Sequence, residues 1–282
     1  MKLSILIITI TISGIANSAL AGTTSSFAET IERTKAATVA ILKETHPESS
    51  PARRAHFSIR GSGFHLQDGY IITAGHAVER QEGSQVVMPK QIHVLTQDLF
   101  EIPASFVGFN DILDIAVYRL RQSDSPPPLP ATSFAHEEVR SGDNVFTIGY
   151  PLGWGPAMGF GTIGNPNTFL PTVQSRLHQV DLSICSGNSG GGLFNHQGEI
   201  VGVVHAIIQT ETTESDRRCS RFAFAVPCAL VQKIITALIQ GSSLKFSTLG
   251  MQLTTRQENH QWKVAVAKAR GPAQTGGVRK GD

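Results

Sequence analysis

Short apolar runs, broken by Gly, Asp-Gly or Pro, recur along residues 30–240. Tyr70-Ile-Ile-Thr73, Gln91-Ile-His-Val-Leu95, Ile115-Ala-Val-Tyr-Arg-Leu120, Asn144-Val-Phe-Thr-Ile148 and Glu199-Ile-Val-Gly-Val-Val204 are rich in β-branched residues, which suit a pleated surface. Gly63-Phe-His-Leu66 is a further short run. The stretch from Thr30 begins as an amphipathic turn and ends in the apolar strand Thr38-Val-Ala-Ile-Leu42. Gln67-Asp68-Gly69 and Asn195-His-Gln-Gly198 have the composition of hairpin turns. His46 to Arg60, with Pro47 and Pro51, reads as a polar loop. Many short strands with hardly any helix between them predict an all-β barrel or sandwich. The Pro-rich loop Ser123–Pro130 then becomes a natural crossover between two barrels.

One helix is clearly signalled. Ala229, Leu230, Ile234, Ile235, Leu238 and Ile239 repeat at helical spacing, Pro227 suits the first turn, and Gly241 closes it. This places a domain end near residue 242. Residues 244–282 resume a strand pattern and stop at Gly281-Asp282, which reads as the opening part of a second domain.

The N-terminus changes the picture of where the chain works. Lys2 precedes an aliphatic run from Leu3 to about Ala16, and Ala19-Leu20-Ala21 supplies a small-x-small cleavage pattern. Ser4, Thr9, Thr11, Ser13 and Asn17 dilute a run already short for a membrane span. The expectation is a cleaved signal peptide over residues 1–21, with the mature chain starting near Gly22. Export, to a periplasmic or secreted location, makes cysteine pairing feasible. The odd count, Cys185, Cys219 and Cys228, leaves at least one thiol free or paired with another chain.

Composition excludes more than it selects. Hydrophobic content of 40% and charged content of 16% are those of a globular chain. A formal net charge of +2 with scattered basic residues gives no nucleic-acid footprint. The dispersed histidines lack metal-ligand spacing, and nothing in the sequence calls for a cofactor.

Three segments carry chemistry. Thr73-Ala-Gly-His-Ala-Val78 puts His76 directly after a strand. Asp111-Ile-Leu-Asp-Ile-Ala-Val117 offers Asp111 or Asp114 ahead of another, and Ser186-Gly-Asn-Ser-Gly-Gly191 holds Ser189 in a glycine-rich loop. A serine hydroxyl needs a neighbouring base, an imidazole can take and return its proton, and a carboxylate fixes the imidazole tautomer. The glycines allow the N–H groups of Gly187 and Ser189 to converge on one point, as an oxyanion hole requires. The order His, Asp, Ser, each beside a strand, points to nucleophilic acyl transfer. Gly187-Asn-Ser-Gly-Gly191 also satisfies the G-x-S-x-G elbow of α/β-hydrolases. That fold needs a helix after the serine and then an acid and a histidine. Here a turn and a strand follow, and Asp216 and His260 lie in a polar loop and the tail.

These segments resemble the HtrA/DegP family of trypsin-like serine proteases. The likeness runs through Gly61-Ser-Gly-Phe64, Ala74-Gly-His76, Asp111-x-x-Asp114-Ile-Ala-Val117, Ile148-Gly-Tyr-Pro151, Gly187-Asn-Ser-Gly-Gly191, Gly198-Glu-Ile-Val-Gly202 and Phe222-Ala-Phe-Ala-Val-Pro227. It implies a chymotrypsin/trypsin-like double β-barrel over residues 22–242 and the start of a PDZ domain over 244–282. By the resemblance Asp114 is the triad carboxylate and Asp111 a turn residue. Zymogen-type relatives carry an aspartate before the serine to pair with a new N-terminus; the neutral Asn188 cannot.

Further expectations follow from the same likeness. Ser183 and Ile184 stand where related proteases build the primary specificity pocket, and an aliphatic wall without an acid implies cleavage after small aliphatic residues. The strand Val203-Val-His-Ala206 is placed along the substrate cleft. His205 could touch the triad from there, although a structural role is preferred. Cys185 lies where many chymotrypsin-like enzymes bridge across the pocket, a departure from HtrA proteins, and Cys219 is its expected partner. Cys228 reads as a small buried hydrophobe. Thr248-Leu-Gly-Met251 resembles a PDZ loop that binds a peptide carboxylate, with Leu249, Gly250 and Met251 as its residues. The implied function is a serine endopeptidase acting on unfolded or damaged exported polypeptides, as a homotrimer if it follows its relatives, although the segment around Phe27 carries no distinctive signal. The membrane enters only through the transient signal peptide. The alternative is a non-proteolytic chaperone or peptide-binding module on the same fold.

Overall fold

Ser26 opens the first ordered element. Its side chain accepts from the Glu29 N–H while the Glu29 carboxylate accepts from the Ser26 N–H, a capping box that starts helix α1 (Phe27–Ala36). The computed structural model describes residues 26–45, 56–121, 129–169, 175–207, 219–244 and 249–282. The signal-peptide expectation for residues 1–21, the centre of the Ser123–Pro130 crossover, Asp216 and Thr248 lie outside these residues.

The first barrel is closed by β1 (Thr38–Thr45), β2 (His56–His65), β3 (Tyr70–Ala74), β6 (Gln91–Leu95), β7 (Glu101–Asn110) and β8 (Ile115–Leu120), in the ring order β1-β2-β3-β8-β7-β6. Between β3 and β6 the chain makes the one-turn helix α2 (Gly75–Val78) and a small hairpin, β4 (Arg80–Glu82) with β5 (Gln85–Val87). The second barrel is closed by β9 (Asn144–Gly149), β10 (Ala157–Phe169), β11 (Arg176–Cys185), β12 (Gly192–Phe194), β13 (Ile200–Ile207) and β14 (Cys219–Pro227), in the order β10-β11-β14-β13-β12-β9. The expected double barrel is therefore the observed one. Helix α3 (Cys228–Ile239) follows, with Gly241 at φ +71° behind it. Beyond it β15 (Met251–Glu258) pairs antiparallel with β16 (Gln261–Ala269), before α4 (Gly271–Thr275).

Alternation along each strand fills three apolar clusters. Val39, Ile41, Ile71, Ile92, Val94 and Tyr118 fill the first barrel, and Val145, Ile163, Val180, Leu182, Leu193 and Val201 the second. The third lies between them. Phe64, Ile72 and Val117 from one barrel meet Phe146, Phe194 and Phe224 from the other, with Ile234 and Leu238 of α3 packed on top. Phe64 and Phe194 meet edge-on with ring centroids 6.5 Å apart. This seam packs the two barrels against each other.

Two local expectations are corrected. Residues His56 to Arg60 form the start of β2 rather than a loop; Ser58 and Ile59 pair with Lys43 and Leu42. Their polarity reflects a solvent-facing strand, with Ser58 and Arg60 exposed. Cys228 is half-buried rather than buried, its sulfur 4.0 Å from the Ala135 carbonyl oxygen.

Candidate active site

His76 lies in α2, where the chain turns sharply away from β3. Gly75 makes the turn possible: a Cβ there would lie 2.2 Å from the Phe109 ring and 2.5 Å from Asp114 Oδ1. The Gly75 N–H donates to the Asp114 carbonyl at 2.8 Å, and β3 pairs with β8 up to Ala74 and Ile115. Asp114 is held in the left-handed region at φ +55°, which costs a non-glycine residue roughly 1–2 kcal/mol and turns its side chain back toward α2. Its carboxylate Oδ1 accepts the His76 backbone N–H at 3.0 Å, and Oδ2 pairs with His76 Nδ1. A carboxylate oxygen only accepts, so Nδ1 carries the hydrogen and Nε2 is left as a base. Asp111 lies exposed in the preceding turn, where the Asn110 side chain accepts the Leu113 N–H at 2.9 Å.

Ser189 comes from the other barrel, in the loop between β11 and β12. Gly61 of β2 lies against both sides of the seam: a Cβ on it would be 2.5 Å from Ala77 Cβ and 3.1 Å from the Ser189 carbonyl oxygen. The backbone of Ser189 and the turn holding His76 thus press on one glycine. Among the described residues no hydrogen bond links Ser189 Oγ to His76; such bonds are commonly long in unliganded sites.

The loop around Ser189 is fixed at many points. Gly190 donates to the Val204 carbonyl at 2.8 Å, Gly191 to the Asn188 carbonyl at 2.9 Å, and Asn188 to the Cys185 carbonyl at 3.1 Å. The Ser186 carbonyl accepts the Leu152 N–H at 2.6 Å. The trans peptide therefore points the Gly187 N–H the opposite way. Among the described residues neither the Gly187 N–H nor the Ser189 N–H has an acceptor. Gly187 sits at φ +100°, where a side chain would be strained and its Cβ would lie 2.3 Å from the Tyr150 carbonyl oxygen.

Ser62 of β2 lies in the Gly61-Ser-Gly-Phe64 segment. It is fully buried and acts as a bracket across the seam. Its N–H donates to the Ser189 carbonyl at 2.9 Å, its hydroxyl donates to the Gly187 carbonyl at 2.6 Å, and that same oxygen accepts the Tyr150 N–H at 2.9 Å. No local signal could have revealed partners so distant in sequence.

The remaining residues fall as follows. Ile184 is buried among Val201, Val204 and Ala225 in the second barrel, while Ser183 is exposed on the other face of β11. Cys185 and Cys219 are joined by a disulfide, at a directly paired position of β11 and β14. His205 on β13 brings Nδ1 to 3.7 Å from Asp114 Oδ2. Leu249 is exposed, and the Leu249 and Gly250 carbonyls accept the Ala273 and Arg270 N–H groups at 2.8 and 2.7 Å, ahead of Met251 at the start of β15. Phe27 stacks on His196 with ring centroids 4.0 Å apart. Among the described residues no cluster of His, Cys, Asp and Glu is arranged to hold a metal.

Comparison with known proteins bears on the family and the fold. The trypsin-like peptidase domain family matches residues 61–203, just over half of the chain. A protein named probable periplasmic serine endoprotease DegP-like from Rhizobium meliloti is 28% identical over 236 residues, covering 79% of this chain and 44% of the relative. Its namesake from Chlamydia pneumoniae is 30% identical over 201 residues, 70% of this chain and 38% of the relative. Serine protease PepD from Mycobacterium tuberculosis is 30% identical over 241 residues, 79% and 50% respectively. The chain thus spans half or less of the length of these relatives. Among solved structures, the HtrA-type protease AlgW with a decapeptide superposes with a TM-score of 0.68 at 24% identity, over 91% of this chain and 83% of that one. The chain belongs to the trypsin-like peptidase domain family, as an HtrA/DegP-like member.

Proposed function

We propose that this chain is a serine endopeptidase in which Ser189 is the nucleophile, His76 the general base and Asp114 the orienting carboxylate. The observation that carries this is the Asp114–His76 pair, with Nε2 left as a base, set across the barrel seam from a loop presenting Ser189 and two unpartnered N–H groups. His76 Nε2 takes the Ser189 proton as Oγ attacks the scissile carbonyl. The Gly187 and Ser189 N–H groups stabilise the oxyanion, and His76 returns the proton to the leaving amine. Water then repeats the cycle on the acyl-enzyme.

The relatives named periplasmic serine endoproteases support an exported, periplasmic setting and polypeptide substrates, for which unfolded or damaged exported proteins fit best. Residues 1–21 are proposed as the signal peptide, 22–242 as the protease domain and 244–282 as part of a PDZ domain with Leu249, Gly250 and Met251 at its carboxylate loop. Assembly as a homotrimer belongs to the same proposal. An aliphatic specificity pocket near Ser183 and Ile184, with cleavage after Val, Ile or Ala, belongs to the same proposal, and a strong preference for Arg in a peptide library would contradict it. Ser183 and His205 complete the proposed pocket. The buried, neutral Asn188 supports activity without a freshly cut N-terminus.

The test is cleavage of an unfolded protein substrate by wild type and Ser189→Ala. Loss of cleavage with substrate binding retained supports the enzyme. Equal cleavage by the two would overturn it.

A further inference from the structure

The turn after β9 holds apolar side chains out to solvent beside the nucleophile loop. In and just after this turn (Pro151–Gly153), Leu152 is 45% exposed and Trp154 79% exposed, the latter the highest value for a large apolar side chain among the described residues. Scattered surface hydrophobics are ordinary, but these two are joined by a third. A Cβ on Gly153, between them, would lie 3.9 Å from Ile59 Cβ of β2, so the patch crosses from the second barrel to the first. Ile59 is itself only partly buried.

The turn is rigid where it carries these side chains. The Gly153 N–H donates to the Tyr150 carbonyl at 3.1 Å, the Trp154 N–H to the Pro151 carbonyl at 2.9 Å, and the Leu152 N–H to the Ser186 carbonyl at 2.6 Å. The last bond ties the turn to the loop of Ser189. Leu152 stands at φ +56°, a left-handed conformation that glycine takes freely and a bulky aliphatic residue takes under strain. Such a side chain, kept there and held out in water, is the kind of outlier that marks a working surface.

We infer that Ile59, Leu152 and Trp154 form a subsite for the leaving half of the polypeptide substrate. It takes an aliphatic or aromatic side chain from the first three residues after the scissile bond. The inference rests on the reading of His76, Asp114 and Ser189 as a triad. Two flanks hold the Ser189 loop. On one, the Val204 carbonyl of β13 accepts the Gly190 N–H, and this strand is the one assigned to the acyl half of the substrate. On the other stand β2, whose Ser62 N–H donates to the Ser189 carbonyl, and the turn bonded to Ser186. His76 returns its proton to the leaving amine, and its own turn presses Ala77 on Gly61, two residues along β2 from Ile59. Two strand residues span about 6–7 Å, the reach of the first residues of the leaving half. A peptide departing past this flank meets an apolar platform that needs no ordering to receive it.

The experiment uses internally quenched peptides that share one acyl half and carry Phe, Leu or Ser at each of the first three leaving-side positions. Wild type should cleave the best Phe or Leu peptide with roughly tenfold higher kcat/KM than its Ser counterpart, the size of a small apolar group gained in a pocket. Trp154→Ser, and Leu152→Gly as a second variant suited to its backbone, should bring that ratio near one. A peptidyl methyl ester with the same acyl half releases only methanol, so the variants should lose peptide turnover relative to ester turnover. Equal loss on peptide and ester, or an unchanged preference for Phe or Leu over Ser, overturns the subsite. So does a Trp154→Ser protein that elutes as a smaller species while keeping the wild-type preference, since the patch then meets a second copy of the chain. Absence of Ser189-dependent turnover of both peptide and ester in the wild type would instead overturn the protease reading, so the two failures are distinguishable.

Discussion

The Ser62 hydroxyl of the first barrel donates to the Gly187 carbonyl of the second at 2.6 Å, and so holds the peptide that follows the proposed oxyanion donor. The same oxygen takes the Tyr150 N–H at 2.9 Å, and Tyr150 is followed by the turn whose Leu152 N–H fixes the Ser186 carbonyl. One buried side chain therefore sets both flanks of Gly187. Ser62→Ala leaves two buried groups without partners, which costs about 2–4 kcal/mol of stability at 1–2 kcal/mol each. Because the loss falls on the donor rather than on the nucleophile, kcat should drop more than KM rises. Urea unfolding and steady-state kinetics on the same variant check both halves.

Gly187 and Gly190 are predicted to tolerate no side chain. A Cβ on Gly190 would lie 2.4 Å from both the Ala74 nitrogen and Thr73 Oγ1, and Gly190 sits at φ +82°. Gly187→Ala displaces the oxyanion donor, for a loss of at least about a hundredfold in kcat. Gly190→Ala forces the two barrels apart at the seam, and its first sign is a lowered unfolding midpoint by circular dichroism.

The disulfide gives a third prediction. Cys185 and Cys219 enclose a sequence separation of 34 residues, for which chain entropy assigns roughly 3–4 kcal/mol. Reduction, or Cys219→Ser, should lower stability by that order. It should also slow acylation, since the Cys185 carbonyl holds the Asn188 N–H in the nucleophile loop. Thermal melts with and without reductant give the first number, and pre-steady-state acylation gives the second.

Stability should also depend on His178. Its ring is buried on β11 and donates from Nδ1 to the Pro166 carbonyl at 2.8 Å, and burial holds it below the ordinary histidine range. The unfolded chain then binds more protons than the folded one just below the usual histidine value near ~6.5, so stability rises with pH through that window. It is complete above the unfolded value and falls as pH drops toward the folded one. His178→Asn, which can keep the donor but cannot titrate, should flatten the decline between pH 7 and pH 5 in denaturant melts.

Much of the fold was legible because its inner strands advertise themselves. Gln91–Leu95 and Ile115–Leu120 were read at their observed limits, since β-branched residues alternate there with little interruption. β10 escaped notice because Gly159, Gly161 and Gly164 break its pattern; two of these glycines are demanded by close contact with Asp181 and Gln179 of β11. The carboxylate choice needed backbone geometry as well as residue type: Asp114, at φ +55°, faces His76, while Asp111 faces solvent. Ser62 was not legible as part of the site, because it owes its role to the docking of one barrel on the other, whereas His205 was already placed along the cleft by the resemblance.

Covalent labelling of Ser189 tests the central claim most directly. The folded protein, treated with a serine-directed fluorophosphonate and mapped by peptide mass, should carry one adduct, on Ser189, formed quickly. The adduct should be nearly abolished in His76→Ala. A folded protein that stays unlabelled at Ser189, or one labelled equally well without His76, would contradict the account.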